Sequence, residues 1–116
     1  MILAIVDDLI FRAKLQAAAA QRGSPLTVVK DPSEALRSGQ SWSRVLIDLN
    51  LSQGDPLTMI RQIRHVDATV SIIGYCSHVQ QELQQQALEA GCTTVLPRSV
   101  FVQQLPQLLK ESRCIF

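Results

Sequence analysis

Apolar residues along this chain fall into short unbroken runs separated by longer stretches of helical period. Ile2 to Val6 is a continuous, largely β-branched run that ends at Asp7-Asp8, the pattern of an interior parallel strand buried on both faces. From Leu9 to Arg22 the apolar positions Leu9, Ile10, Ala13, Ala17 and Ala20 recur at helical spacing, with Asp8 placed as the cap and Gly23 then Pro25 as the stop. Leu26 to Val29 reads as a second strand, Pro32 to Leu36 as a short helix opened by Asp31 and Pro32, and Val45 to Ile47 as a third strand ending at Asp48. After a loop from Asn50 to Pro56, broken by Gly54 and Pro56, a helix from Leu57 to about Val66 carries Leu57, Ile60 and Ile63 on one face. Val70 to Tyr75 reads as strand four, Val79 to Ala90 as a helix closed by Gly91, Thr94 to Leu96 as strand five, and Val100 to about Lys110 as a last helix interrupted by Pro106.

Strand then helix, five times over, specifies an α/β fold with a parallel sheet. No linker, repeat or composition shift divides the chain, so residues 1–116 read as one domain. The run Gln84-Gln85-Gln86 lies inside a helical period and reads as a solvated polar face.

Composition narrows the function classes. At 116 residues the chain can bury roughly 65% of its unfolded surface, enough for an ordinary core without metals or disulfides. Three widely spaced cysteines, Cys76, Cys92 and Cys114, suggest neither a disulfide framework nor a zinc site, and a reducing cytoplasm is the expected compartment. Eleven basic against ten acidic residues, with lysines scattered at 14, 30 and 110, provide no field for direct nucleic-acid binding. No apolar run reaches the roughly 18 residues needed to span a bilayer, and Met1 to Val6 lacks the basic flank of a leader.

The chemistry is concentrated at one rim. In open parallel sheets the working residues gather at the carboxyl ends of the strands. Here Asp7 and Asp8 close strand one, Asp48 closes strand three, Cys76 and Ser77 close strand four, and Arg98 lies just beyond strand five. With strands one, three and four adjacent, three carboxylates would meet there facing one cation. Such a cluster repels itself unless a cation neutralises it, and all-oxygen ligands favour hydrated Mg²⁺. Asp48 is then a plausible nucleophile toward phosphate. The bland alternative is that the acids are only helix caps and strand-end residues.

At these residues the chain resembles the receiver domain of two-component response regulators, the family of the single-domain chemotaxis regulator. The resemblance spans essentially the whole chain and rests on ILAIVDD, with Asp7 and Asp8, on VLIDLNL, with Asp48, and on EAGCTTVLPR. It implies a flavodoxin-like, doubly wound five-stranded sheet of order 2-1-3-4-5 with five helices. It further implies Mg²⁺ bound directly by Asp8 and Asp48, mainly through water by Asp7, and by the backbone carbonyl of Asn50. Asp48 would accept a phosphoryl group from a phosphohistidine on a histidine kinase or phosphotransfer protein.

Three positions depart from the family. Cys76 stands where Thr or Ser would hydrogen-bond the phosphoryl group, and a thiol is a weaker donor than a hydroxyl. It reads foremost as a small buried apolar residue; Ser77 could substitute only with a local shift, since adjacent strand residues face opposite ways. Arg98 replaces the family lysine, keeping the charge but changing the geometry, and Pro97 precedes it where the family has proline after. Val95 occupies the position of a strand-five aromatic or His that would swing with the phosphoryl contact. His78 either tunes phosphoryl lifetime or is an exposed loop residue. His65 complements a helix dipole, and Trp42 reads as a hydrophobic anchor.

Two functions follow from the resemblance. The first is a signalling phosphoacceptor, not an enzyme beyond slow self-dephosphorylation, acting on a downstream target protein by contacts alone. The alternative is a pseudo-receiver, a phosphorylation-independent interaction module, suggested by Cys76, Arg98 and Val95. A flavodoxin-type cofactor binder would need a Gly-, Ser- and Thr-rich loop after strand one, where this chain has DDLIF. Homodimerisation or target binding is expected through the fourth and fifth helices, with Leu83, Leu88, Phe101 and Leu105.

Overall fold

The computed structural model describes residues 1–110, and Cys114 lies outside them. The elements are β1 (Ile2–Ile5), α1 (Leu9–Arg22), β2 (Leu26–Val29), α2 (Ser33–Arg37), β3 (Arg44–Asp48), α3 (Pro56–Val66), β4 (Ser71–Cys76), α4 (Gln81–Ala90), β5 (Thr94–Pro97), α5 (Arg98–Gln103) and α6 (Leu105–Leu108). All strand pairs are parallel and the order is β2-β1-β3-β4-β5, as expected. The sequentially continuous apolar strands β1 and β3 are central and wholly buried, while β2 and β5 are edge strands and half-buried. An edge position is also where Pro97 costs the sheet no hydrogen bond.

Alternation along the strands divides the core into two layers. Leu3, Ile5, Val45, Ile47 and Ile72 pack with Ile60 and Ile63 of α3 and Ala87 of α4. On the other side, Ile2, Ala4, Leu46, Ile73 and Tyr75 pack with Phe11 and Leu15 of α1 and with Phe101, Leu105 and Leu108 near the end of the chain. Trp42 is half-buried against the first layer, the anchor its position suggested. A fully buried Ile or Leu contributes about 1.5–3 kcal/mol, so these two layers supply most of the force that holds the rim in place.

Local signals set the helix ends. Asp8 Oδ1 accepts from the N–H groups of Ile10 (2.9 Å) and Phe11 (3.2 Å), and Gly23 closes α1 in the left-handed region at φ 66°. Asp55 caps α3 through Leu57 N–H, so Pro56 is the first helical residue instead of a loop breaker. The expected last helix is two helices, making six among the described residues. Pro106 has no N–H to continue an α-helical ladder and crowds the turn before it. The chain breaks at Gln104 (φ −92°, ψ 1°), and Pro106 falls in the first turn of α6, where its missing donor is not needed. The helix also begins earlier than expected: Pro97 (φ −58°, ψ 146°) ends β5, and Arg98 is the first residue of α5.

Arg44, which sequence pattern does not mark, begins β3 buried at 4% exposure. Its Nη1 donates to the carbonyls of Leu108 (2.6 Å) and Lys110 (3.0 Å), tying the end of α6 to the amino-terminal rim of the sheet.

Candidate functional site

At the carboxyl rim, Asp48, Asn50, Tyr75, Cys76, Ser77, His78, Pro97, Arg98 and Ser99 line a cleft of about 490 Å³. Asp48 lies at its floor at 5% exposure and accepts one hydrogen bond, from Asn50 N–H to Oδ1 (2.8 Å). Burial pushes its carboxyl above the ordinary aspartate value. The Asn50 hydrogen bond and Arg98 oppose the shift, and the charges of Asp7 and Asp8 add to it. The three acids therefore act on one another as their strand-end positions suggested.

They do so without being drawn tightly together. Among the described residues no three His, Cys, Asp or Glu side chains form a ready metal-binding group. Asp8 spends Oδ1 on the α1 cap. Asp7 turns Oδ2 to the β3–α3 loop, accepting from Ser52 N–H (2.9 Å), Ser52 Oγ (2.8 Å) and Gln53 N–H (3.1 Å). Partial burial raises the Asp7 carboxyl, but these hydrogen bonds together bring it below its ordinary value. Asp8 is thus a helix cap and Asp7 a loop anchor at the same rim where Asp48 is buried.

Arg98 faces the acids as expected, but its partner is Asp8, at 3.8 Å from Nη2 to Oδ2, with both side chains about half exposed. Its guanidinium lies over the Phe11 ring, 4.7 Å from the centroid, and 6.0 Å from that of Tyr75. Asp48 feels it through charge.

Cys76 is buried at 1% exposure and packs in the α3/α4 layer, the face opposite Tyr75. Burial pushes its thiol up. It therefore sits as a small apolar residue in the core. Ser77 falls just past β4 and is exposed; its Oγ accepts from Val79 N–H at 3.4 Å. His78 is exposed at the cleft wall. Val95, on β5, is half-buried against the α3/α4 layer.

Two features lay outside the sequence reading. Asn50 and Gln80 exchange amide hydrogen bonds, Nδ2 to Oε1 (3.0 Å) and Nε2 to Oδ1 (2.9 Å), bridging the loops after β3 and β4; Gln80 Oε1 also accepts from Ser77 N–H (3.0 Å). This bridge holds Ser77 to Gln80 in a turn, which is why α4 starts at Gln81 and not at Val79. The second is Tyr75. It lies directly beside Asp48 in the β3/β4 register, is 1% exposed, and its hydroxyl interacts with the Asp48 carboxylate without reaching strict hydrogen-bond geometry. Burial, then the nearby Asp48 charge, pushes its ionisation far above the ordinary tyrosine value. An aromatic hydroxyl in register with the strand-end acid was the signal available for it.

The interaction face expected on the fourth and fifth helices is largely core. Phe101 (0%) and Leu105 (5%) are buried, Leu83 is half-buried, and only Leu88 of the four is exposed, at 43%. Phe101 points into the aromatic cluster with Phe11 and Tyr75, so α5 has no surplus apolar stripe there.

An acid-floored cleft at the carboxyl ends of a 2-1-3-4-5 parallel sheet defines a doubly wound α/β protein with its site at the strand-order switch. The family is more specific: the response regulator receiver domain model matches residues 2–110, and the chain belongs to that family, the receiver domains of two-component signalling. Solved structures with the same fold include the receiver domain of the sensor histidine kinase PA1611 from Pseudomonas aeruginosa PAO1, which carries a magnesium ion in its active-site cleft. It has 24% identity and a TM-score of 0.74, over 93% of this chain and 95% of that one. The chemotaxis response regulator CheY4 of Vibrio cholerae matches at 17% identity, TM-score 0.75, over 93% and 97%. The Saccharomyces cerevisiae complex of the phosphotransfer protein Ypd1 with the receiver domain of Ssk1 matches at 17%, TM-score 0.76, over 93% and 87%. No curated protein sequence matches significantly. Among the described residues, no helix is long and apolar enough to cross a membrane.

Proposed function

We propose that residues 1–116 act as one phosphoacceptor unit in which Asp48 takes the phosphoryl group from a phosphohistidine on a kinase or phosphotransfer protein. The observation that carries this is Asp48 itself: a carboxylate buried at the floor of an open cleft, destabilised by burial and by two neighbouring acids, with a cation at the rim. A carboxylate held this way is a poor structural element, since relief of its charge costs the fold nothing. It is well placed as a nucleophile: an Asp48 oxygen attacks phosphorus, the O–P bond forms, the P–N bond of the donor breaks, and the imidazole leaves.

The chain's own residues orient this step. Asn50 N–H fixes Oδ1 of Asp48, leaving Oδ2 to react, and Arg98 supplies positive charge beside the phosphoryl oxygens. The donor set fits Mg²⁺ in its chemistry, because Asp7, Asp8 and Asp48 are hard oxygen ligands whose mutual repulsion a cation relieves. Asp8 and Asp48 would hold the ion with the Asn50 carbonyl, and Asp7 through water, and a bound ion would screen charge between the carboxylate and the incoming phosphoryl group. The chemistry ends at the aspartyl phosphate and its slow hydrolysis, and output passes by contact to another protein. The Ypd1–Ssk1 and PA1611 structures support the donor class and the cation.

The pseudo-receiver reading is favoured by one observation, that Cys76 is buried in the α3/α4 core and offers only a thiol to the cleft it borders. Incubation with acetyl phosphate and Mg²⁺ separates the two. Intact mass gains one phosphoryl group in the wild type and none in Asp48→Asn; an unmodified wild type leaves the pseudo-receiver.

A further inference from the structure

Cys76 is packed in the opposite layer, and Ser77, whose Oγ accepts from Val79 N–H and keeps its own proton free, is exposed past the end of β4, so neither presents a hydroxyl from the strand face that carries Asp48. Tyr75 does. It pairs with Asp48 in the parallel register, so both side chains leave the same face of the sheet. It lines the same cleft, and its hydroxyl is buried without a partner at hydrogen-bond geometry. A buried unsatisfied hydroxyl costs free energy that native structures seldom leave in place without a reason.

Resting on the phosphoacceptor reading, we propose that the Tyr75 hydroxyl is a ligand of the phosphoryl group on Asp48, donating to one of its oxygens. In the free site the hydroxyl interacts with the Asp48 carboxylate outside strict hydrogen-bond geometry, and it gains a well-placed acceptor when the group is present. The contact also has an outlet. The Tyr75 ring stacks on Phe101 of α5 at 4.2 Å between centroids and lies 5.3 Å from Phe11 of α1, while Arg98, the first residue of α5, covers the same cluster. A shift of the Tyr75 ring toward the phosphoryl oxygen is therefore felt by α5, which the half-buried Val95 on β5 is not shaped to move.

Tyr75 is the chain's one tyrosine, so ¹³Cζ-tyrosine labelling reports on this position alone. The protein is titrated with beryllofluoride and Mg²⁺, following bound fluoride by ¹⁹F NMR and Tyr75 by ¹³C NMR. The expected result is a Tyr75 ¹³Cζ shift that saturates together with the bound ¹⁹F signals and is absent in Asp48→Asn. Tyr75→Phe should bind beryllofluoride about tenfold more weakly, yet melt at a higher temperature without ligand, because it removes the orphaned hydroxyl. A packing role would lower both. Bound ¹⁹F signals with an unmoved Tyr75, or a Tyr75→Phe protein that binds equally well, would overturn the contact and leave the phosphoacceptor reading standing. Absence of bound fluoride in the wild type would overturn both.

Discussion

Strand β3 is buried along its whole length and carries a charge at each end, and the two ends are treated oppositely. At the amino end, the Arg44 guanidinium donates to the carbonyls of Leu108 and Lys110, so a buried cation is also a clamp for the last helix. Nearby, Arg64 of α3 does similar work, donating to the carbonyls of Gly91 (2.7 Å) and Val70 (2.5 Å) and to Thr93 Oγ1 (3.1 Å). At the carboxyl end, Asp48 has one N–H, two neighbouring acids and a cation that is closer to Asp8. Beside it Tyr75 has an unmet hydroxyl. The amino rim uses Arg44 to hold the end of the last helix, although Trp42 Nε1 and Ser71 Oγ stay unmet there, and the carboxyl rim crowds like charges around an open cleft. The difference fits a stability–function trade-off in which strain is concentrated where a ligand can relieve it.

Substitutions should split along the same line. The largest effect is expected for Arg44→Ala, which leaves two carbonyls without their donor and opens a cavity: a loss of about 3 kcal/mol in urea unfolding, with the folded fraction still phosphorylated by acetyl phosphate. Gly91→Ala comes next. At φ 131° a side chain is strained, and a Cβ there would meet Arg64 Cγ at 2.5 Å; a cost of about 2 kcal/mol is expected by the same measurement. At the opposite rim the sign reverses. Asp48→Asn should stabilise the metal-free protein at neutral pH on the order of 1 kcal/mol while abolishing phosphoryl acceptance. Arg98→Gln should change stability by less than about 0.5 kcal/mol, since its ion pair is half exposed, and should still weaken beryllofluoride binding.

Acid titration sharpens the contrast further. The carboxyls of Asp31, Asp55 and Asp67 are lowered, chiefly by hydrogen bonds from Ser33, Thr58 and Thr69 respectively. Their contribution is present above the ordinary aspartate value of 3.8 and is lost as pH falls through their folded values. Asp48 is raised, so its opposition to folding sets in as pH rises above 3.8, is full above its folded value, and is absent below 3.8, where it is neutral in both states. The stability advantage of Asp48→Asn over wild type in chelator should therefore be full at neutral pH and vanish by about pH 3 in thermal melts.

Much of this was legible in the chain. Continuous apolar runs such as Ile2–Ile5 and Val45–Ile47 can be placed because an interior parallel strand has no polar face to confuse the period. The acids could be placed because they terminate those runs. What escaped depends on contacts distant in sequence: Arg44 reaches residues more than sixty positions away, and Gln80 meets Asn50 across thirty. Pro106 was read as a kink, but the position of the break at Gln104 and the early start at Arg98 depend on how Phe101 and Leu105 pack. Tyr75 escapes because sequence pattern marks the end of β4 only at Cys76 and Ser77. The register that sets Tyr75 beside Asp48 emerges only from strand pairing.

The central claim is that Asp48 is the phosphoacceptor. After phosphorylation with acetyl phosphate and Mg²⁺, borohydride reduction converts an aspartyl phosphate to homoserine, and peptide mass mapping then locates it. The account predicts homoserine at position 48 alone. Conversion at Asp7 or Asp8, or none anywhere while the protein remains folded, would contradict it.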